Sequence, residues 1–432
     1  MIIQLQPQAQ VMQKLLCPQQ VKDAASYRKA TWTIEISSGS KEYIYNVLTK
    51  EFICVQRGNN GTDRLELIRR WFLVEEGFNE FEYANQIKKL FRLLNTRKNG
   101  ISNYTIFTTT ACNARCYYCF ERNHTTRNMS SQTCDQIVEF INRNCSDQLV
   151  SIRWFGGEPL MNHRAIDAIC DGLHSKGISY RSTITTNGYL FTERLVERAV
   201  MNWKLTKAQI TLDGTEFNYN AIKNYIYPNT NPFVIVLNNI DRLVNSGVKV
   251  VVRLNVSLKN VDDLCNLVTL IHDRFGENKL LQISVCTIFD LRNDENKNSL
   301  GRGVDRIQDE VFKYNLGMAY EHFKKNRVNH CQADDDGHSI VIFPGGDIGW
   351  CEHAFGGPYV GNVKELNISK ESLPHCCHEY AVFDRCHKCA LFPDCLKLLS
   401  CDSNNTCLEF QAHYEIRQIQ DTMRKEILRY ET

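Results

Sequence analysis

Two periodicities run along the chain. Trp32, Ile34 and Ile36 alternate with polar residues, Ser38-Gly39-Ser40 has turn chemistry, and Tyr43, Tyr45 and Val47 alternate again, which predicts a β-hairpin. Positions 52–55 predict a third strand, while 65–74 and the 3.6-residue series Phe81, Ala84, Ile87, Leu90 and Leu94 predict two helices. Residues 1–100 therefore read as a winged-helix-like α+β module. From 101 to 328 strands and helices alternate. Strands are expected at 104–109, 149–155, 181–186, 207–212, 248–256 and 280–286, with helices at 130–143, 163–175, 192–202, 233–245, 261–275 and 304–325. Repeated βα units require parallel strands and right-handed crossovers, so six of them suit a partial (β/α)6 barrel or an open α/β sheet. In either form a ligand binds at the carboxyl ends of the strands. Residues 329–432 are cysteine-rich and hold few long apolar stretches, except for a closing helix predicted after Cys407.

Composition narrows the function. With 432 residues, 43% hydrophobic and 23% charged, the chain can pack two or three domains and is not disordered overall. Lys and Arg number 51 against 49 Asp and Glu, without a long basic run, so the footprint of a nucleic-acid binder is missing. No apolar run approaches the ~20 residues of a membrane span. MIIQLQPQAQ lacks a basic start followed by an apolar stretch, so a cytoplasmic protein without an export signal is expected.

Nineteen cysteines in such a chain point to metal or redox chemistry rather than disulfides. Cys17, Cys54, Cys134, Cys145, Cys170, Cys265 and Cys286 are scattered and read as small buried hydrophobes. Cys112, Cys116 and Cys119 form a C-x3-C-x2-C triplet directly after the first strand of the βα array, which is a ligand-site position. Three thiolates on one loop hold three corners of a cubane and leave the fourth iron open, whereas zinc normally takes four protein ligands.

The string CNARCYYCFE resembles the radical S-adenosylmethionine superfamily, in the form common in its peptide-modifying branch. Trp154-Phe155-Gly156-Gly157-Glu158-Pro159 follows the second strand and is similar to the family's GGE motif, so the resemblance implies that Gly156, Gly157 and Glu158 meet the methionine part of S-adenosyl-L-methionine. It also implies a TIM-like barrel in which Tyr118 lies near the adenine, Thr211 and Arg253 near the ribose or carboxylate, and Asn187 in the same pocket. Relatives often carry an Arg after the Asp213-Gly214 turn, where this chain offers Lys223 or nothing clear.

The nine cysteines from Cys331 to Cys407 resemble the SPASM extension of that superfamily, an iron-sulfur domain. The resemblance implies three [4Fe-4S] clusters, one binding S-adenosyl-L-methionine and two auxiliary. The outer auxiliary cluster would use Cys386, Cys389, Cys395 and Cys407, and the inner one Cys331, Cys351 and Cys401, with Cys376 or Cys377 as an open choice for its fourth ligand. The implied activity is a maturase that cleaves S-adenosyl-L-methionine reductively and uses the 5'-deoxyadenosyl radical to install a thioether or carbon-carbon crosslink in a ribosomally made precursor peptide. Its partners would be that peptide, whose leader adds as a strand to the hairpin or to the strand at Phe52, and an electron donor such as flavodoxin or ferredoxin, with no nucleic acid and no membrane. Two alternatives share parts of the pattern: a sulfatase-type maturase oxidising a protein Cys or Ser, and a non-catalytic zinc or iron-sulfur scaffold.

Overall fold

The computed structural model describes residues 2–8, 10–22, 25–56, 61–95, 100–122, 125–145, 149–288, 297–318, 338–352, 356–357, 359–366, 384–395 and 409–431. They fall into two compact units: Met1–Arg97 with Glu321–Cys331 and His378–Thr432, and Lys98–Tyr320 with Gln332–Cys377.

The first unit is built on a four-stranded antiparallel sheet in the order β1-β5-β4-β3. Its elements are β1 (Ile2–Gln6), α1 (Gln10–Leu15), β2 (Tyr27–Lys29), β3 (Thr33–Ser38), β4 (Lys41–Asn46), β5 (Glu51–Gln56), α2 (Gly61–Arg69), β6 (Leu73–Glu75) and α3 (Glu80–Asn95). The expected hairpin is β3 with β4, joined at Gly39 in the left-handed region. The strand at Phe52 is β5, and β1 covers its free side, so β5 is no edge for an added peptide; β1 and β3 are the outer strands. The helix expected over 65–74 stops at Arg69. Trp71 takes a φ of 65°, and the chain leaves as β6, paired with β2. Tertiary contacts outweigh local periodicity here: the Trp71 carbonyl accepts from Trp32 Nε1 (3.0 Å) and Asn46 Nδ2 (2.8 Å), and its ring stacks on Tyr83 with centroids 4.4 Å apart.

The closing helix, Glu409–Glu431, belongs to this unit. Its Ile419, Met423 and Ile427 are buried in one core with Trp32, Tyr43, Tyr45 and Phe52, and so are Cys386, Leu391 and Phe392 of the cysteine-rich stretch. Lys50 pairs with Asp394, and Lys88 Nζ donates to the Cys395 carbonyl at 2.7 Å.

The second unit is α/β. Its sheet runs β13-β12-β11-β10-β9-β8-β7-β14-β15-β16. In chain order it contains β7 (Asn103–Thr109), α4 (Ser131–Asn144), β8 (Val150–Gly156), α5 (His163–Ser175), β9 (Tyr180–Thr186), α6 (Glu193–Met201), β10 (Leu205–Thr211), α7 (Glu216–Lys223), α8 (Pro232–Asn245), β11 (Lys249–Val256), α9 (Val261–Phe275), β12 (Leu281–Thr287) and α10 (Lys297–Lys313). The short strands β13 (Gly317–Met318), β14 (Ser339–Ile342), β15 (Asp347–Gly349) and β16 (Gly361–Asn362) follow. All neighbours from β13 through β7 to β14 are parallel, and only β15 and β16 turn back.

The six expected strands are β7 to β12, each within about two residues of its expected bounds. Parallel order sends all six carboxyl ends to one side. Helix starts are capped: Ser130, Thr192 and Asn231 side chains accept from Thr133, Leu195 and Val234 N–H groups. The last helix differs from expectation, since α10 runs Lys297–Lys313 instead of 304–325, and 319–325 lie outside the described residues.

Of the scattered cysteines, Cys54, Cys134, Cys170 and Cys265 are buried as expected. Cys145 and Cys286 are half-buried, and Cys17 is exposed, which corrects the reading of all seven as core residues.

Candidate active site

The loop leaving β7 carries Cys112, Cys116 and Cys119, all half-buried. Local bonds shape it. Ala114 N lies 3.4 Å from Cys112 Sγ, and Cys119 N donates to the Cys116 carbonyl at 3.3 Å. Burial pushes the Cys112 thiol up to about 12, with the Glu158 carboxylate adding to the shift, and burial also raises Cys119. Without a cation these sulfurs stay protonated, and binding a metal must release their protons. Among the described residues no three His, Cys, Asp or Glu side chains gather around one point as a mononuclear ion requires. A cubane differs, since each thiolate binds its own iron and the donors stand further apart.

Glycine at 156 and 157 has a steric cause. A Cβ on Gly156, whose φ is +135°, would stand 2.2 Å from the Thr109 carbonyl oxygen, and one on Gly157 would stand 2.5 Å from that of Ala111. The two glycines let the end of β8 lie against the start of the cysteine loop, with Gly157 N donating to Thr109 O (3.0 Å) and Glu158 N to Ala111 O (2.8 Å). Glu158 is wholly buried and turned towards β9. Its Oε1 accepts from Thr186 Oγ1 (2.7 Å) and Leu160 N (3.1 Å), and its Oε2 from Asn187 N (2.7 Å). Burial pushes its pKa up to about 7 against the pull of those donors. A carboxylate offers about four acceptor positions, so about one is left for a ligand.

Asn187 continues this link. Its Nδ2 donates to Asn113 Oδ1 at 2.6 Å and lies 4.0 Å from Cys112 Sγ. On the other side of the loop, Tyr118 OH donates to Asp213 Oδ2 (2.7 Å), and Lys223 Nζ reaches both Tyr118 OH (3.0 Å) and Asp213 Oδ2 (2.9 Å). Thr211 and Arg253 face each other across the β10-β11 register, with Arg253 Nε donating to Asn255 Oδ1 at 3.0 Å. The structure thus brings Tyr118, the Gly156-Gly157-Glu158 turn and Asn187 around the cysteine loop, and joins the loop to the end of β10 through Asp213.

The donors fit an iron-sulfur centre with a polar ligand beside it. Three soft sulfurs share one loop, and Asn113 Nδ2 and Asp213 Oδ1 are buried next to it without a hydrogen-bond partner among the described residues.

Sequence reasoning missed the short helix α7 and the tyrosines after it. Tyr189 packs against Tyr225 and Tyr227, both with centroids 4.9 Å away, and Tyr225 OH lies 3.0 Å from Tyr219 OH. The run Tyr225-Ile226-Tyr227-Pro228 was the available signal. In the second cysteine group, Cys386 lies on a 3-10 turn of the first unit, Cys389 directly follows that turn, Cys395 caps the next one, and Cys351 follows β15 in the second unit. The expected ligands Cys331, Cys376, Cys377, Cys401 and Cys407 lie outside the described residues.

Residues 106–280 match the Radical SAM superfamily. The chain is 26% identical over 151 residues to the radical SAM cyclopropyl synthase TigE of Paramaledivibacter caminithermalis, covering 31% of this chain and 32% of that protein. It spans only about a third to two fifths of the length of the curated relatives it matches. Its fold is similar to that of anSMEcpe with bound AdoMet, at a TM-score of 0.57 and 16% identity over 75% of this chain and 98% of that one. It is also similar to Streptococcus suis SuiB bound to precursor peptide SuiA, at 0.51 and 14% over 86% and 94%. Among the described residues no helix is long and apolar enough to cross a membrane. The parallel strands from β7 to β11 and the cysteine loop after the first of them lie in the segment that matches the Radical SAM superfamily.

Proposed function

We propose that this chain is a radical SAM/SPASM maturase that installs a thioether or carbon-carbon crosslink in a ribosomally made precursor peptide. The observation that carries the reading is the cysteine loop, held at the carboxyl end of β7 by Glu158, Asn187 and Lys223 within a barrel segment of this family. Cys112, Cys116 and Cys119 would hold the [4Fe-4S] cluster, with Gly156, Gly157, Glu158, Asn187, Thr211, Arg253 and Tyr118 around S-adenosyl-L-methionine. When bound, these groups supply a 5'-deoxyadenosyl radical able to take an unactivated hydrogen atom. The protein's part is to position and to exclude water: Glu158 fixes the loop against β9, and the Tyr118-Asp213-Lys223 group fixes it against β10.

Cysteines from Cys331 to Cys407 would hold two auxiliary clusters, with Cys386, Cys389 and Cys395 together on one ordered stretch. Similarity to SuiB bound to its precursor peptide SuiA supports a peptide substrate. The outer strand β3 is the place for its leader, added as a further strand. A flavodoxin- or ferredoxin-class donor would supply electrons.

The test is anaerobic co-expression with a candidate precursor peptide, followed by mass spectrometry. A loss of about two mass units per event, absent when Cys112, Cys116 and Cys119 are all Ala, is the expected result. An unchanged peptide mass despite cofactor turnover would count against oxidative crosslinking.

A further inference from the structure

Lys223 is a cation almost entirely removed from water: its side chain is 4% exposed and that of its partner Asp213 1%. Burying an ion pair costs several kcal/mol per ion, and apolar packing achieves mere attachment as well or better. The position of the pair is the informative feature. Lys223 ends α7 and grips the cysteine loop twice, through its carbonyl, which accepts from Arg115 N at 2.7 Å, and through its ammonium, which donates to Tyr118 OH between Cys116 and Cys119. Asn224 then turns the chain back in the left-handed region, and Ile226 N donates to Asn113 O at 3.0 Å. The loop is therefore clamped near both of its ends.

The charge is also placed unevenly. Burial would push the Lys223 ammonium down, but Asp213, with Tyr118 and Cys116, holds its pKa well above the ordinary lysine value, so it stays charged. The ammonium lies against Tyr118, between Cys116 and Cys119, whereas Cys112 stands on the other side of the loop, 4.0 Å from Asn187 Nδ2. A fixed cation near a cluster stabilises the extra negative charge of the reduced form.

We propose that Lys223, held by Asp213 and bonded to Tyr118, is a positioning residue that fixes the cysteine loop and sets a positive charge beside the iron-sulfur centre of Cys112, Cys116 and Cys119, making that centre easier to reduce. This rests on the reading of the loop as a cluster site. The step concerned is uptake of one electron from an external donor of the flavodoxin or ferredoxin class, with dithionite in its place in vitro, and no bond forms or breaks.

The full chain, reconstituted anaerobically with iron and sulfide, is titrated with dithionite while electron paramagnetic resonance follows the signal that changes on adding S-adenosyl-L-methionine. That response marks this centre among any others. In Lys223→Met the midpoint potential of the signal is expected to become more negative with iron content unchanged, and Lys223→Arg is expected to recover most of the shift. The pair Asp213→Asn with Lys223→Met leaves no lone buried charge, keeps the test available if the single variant does not fold, and is expected to shift in the same direction. An unchanged midpoint potential with full iron content, in the single variant or in the pair, overturns the proposal. A wild-type protein with no responsive signal instead overturns the cluster reading itself, and the role of Lys223 with it.

Discussion

At the scale of single residues, the GGE turn has steric causes that can be tested apart from any cofactor. Neither Thr109 nor Ala111 can yield without disturbing the β7-β8 pairing, since the atoms in the way are backbone carbonyls. Gly157→Ala should therefore destabilise the barrel unit by about 2 kcal/mol or more, measured as a lower urea midpoint. Glu158 gives a pH prediction. Burial raises its pKa from 4.5 to about 7, so the folded chain holds that proton more tightly than the unfolded one. Its contribution is full below about pH 4.5 and is lost as the pH rises through about 7, on the order of 3 kcal/mol in all. Glu158→Gln should flatten that part of the slope between unfolding measured at about pH 5 and at about pH 8. Both motif residues were legible in the sequence, but their contacts were not. Lys223 was legible only as an open stand-in for the relatives' Arg, and the tyrosines around Tyr225 were hidden because α7, which leads into them, is only eight residues long.

At the scale of elements, local pattern located β7 to β12 and, α7 apart, the helices between them: β11 reads as a nearly continuous apolar run, and β8 and β9 alternate buried with half-buried positions. Pattern failed where distant contacts decide. β1 is three apolar residues and two glutamines, too short a pattern to read until it pairs with β5, and Trp71 breaks a helical run to reach Trp32 and Tyr83. The closing helix was expected, yet its partner was not. Met423 is fully buried in the core that the sheet of β1, β5, β4 and β3 shares with Phe392 and Cys386. Met423→Ala should cost about 2 to 5 kcal/mol, read from the unfolding signal of Trp32 and Trp71, which sit in that core. Removing residues 1–97 should strip the partners of Cys386 and Phe392 as well. A truncated chain that kept a full complement of iron would show that the cysteine stretch does not depend on this core.

At the scale of the whole molecule, the two units carry different halves of the proposed chemistry, the cysteine loop on the barrel and Cys386, Cys389 and Cys395 on the sheet unit. Three clusters require about twelve irons with matching sulfide per chain purified without oxygen. Mainly zinc in that analysis would favour a scaffold over an enzyme. The measurement that bears most directly on the central claim is 5'-deoxyadenosine formed from S-adenosyl-L-methionine by the full, reduced, anaerobic chain. Formation by the native sequence and its disappearance when Cys112, Cys116 and Cys119 are changed together to Ala is the predicted result; formation that persists in that triple variant, or its absence from fully iron-loaded native protein, would contradict it.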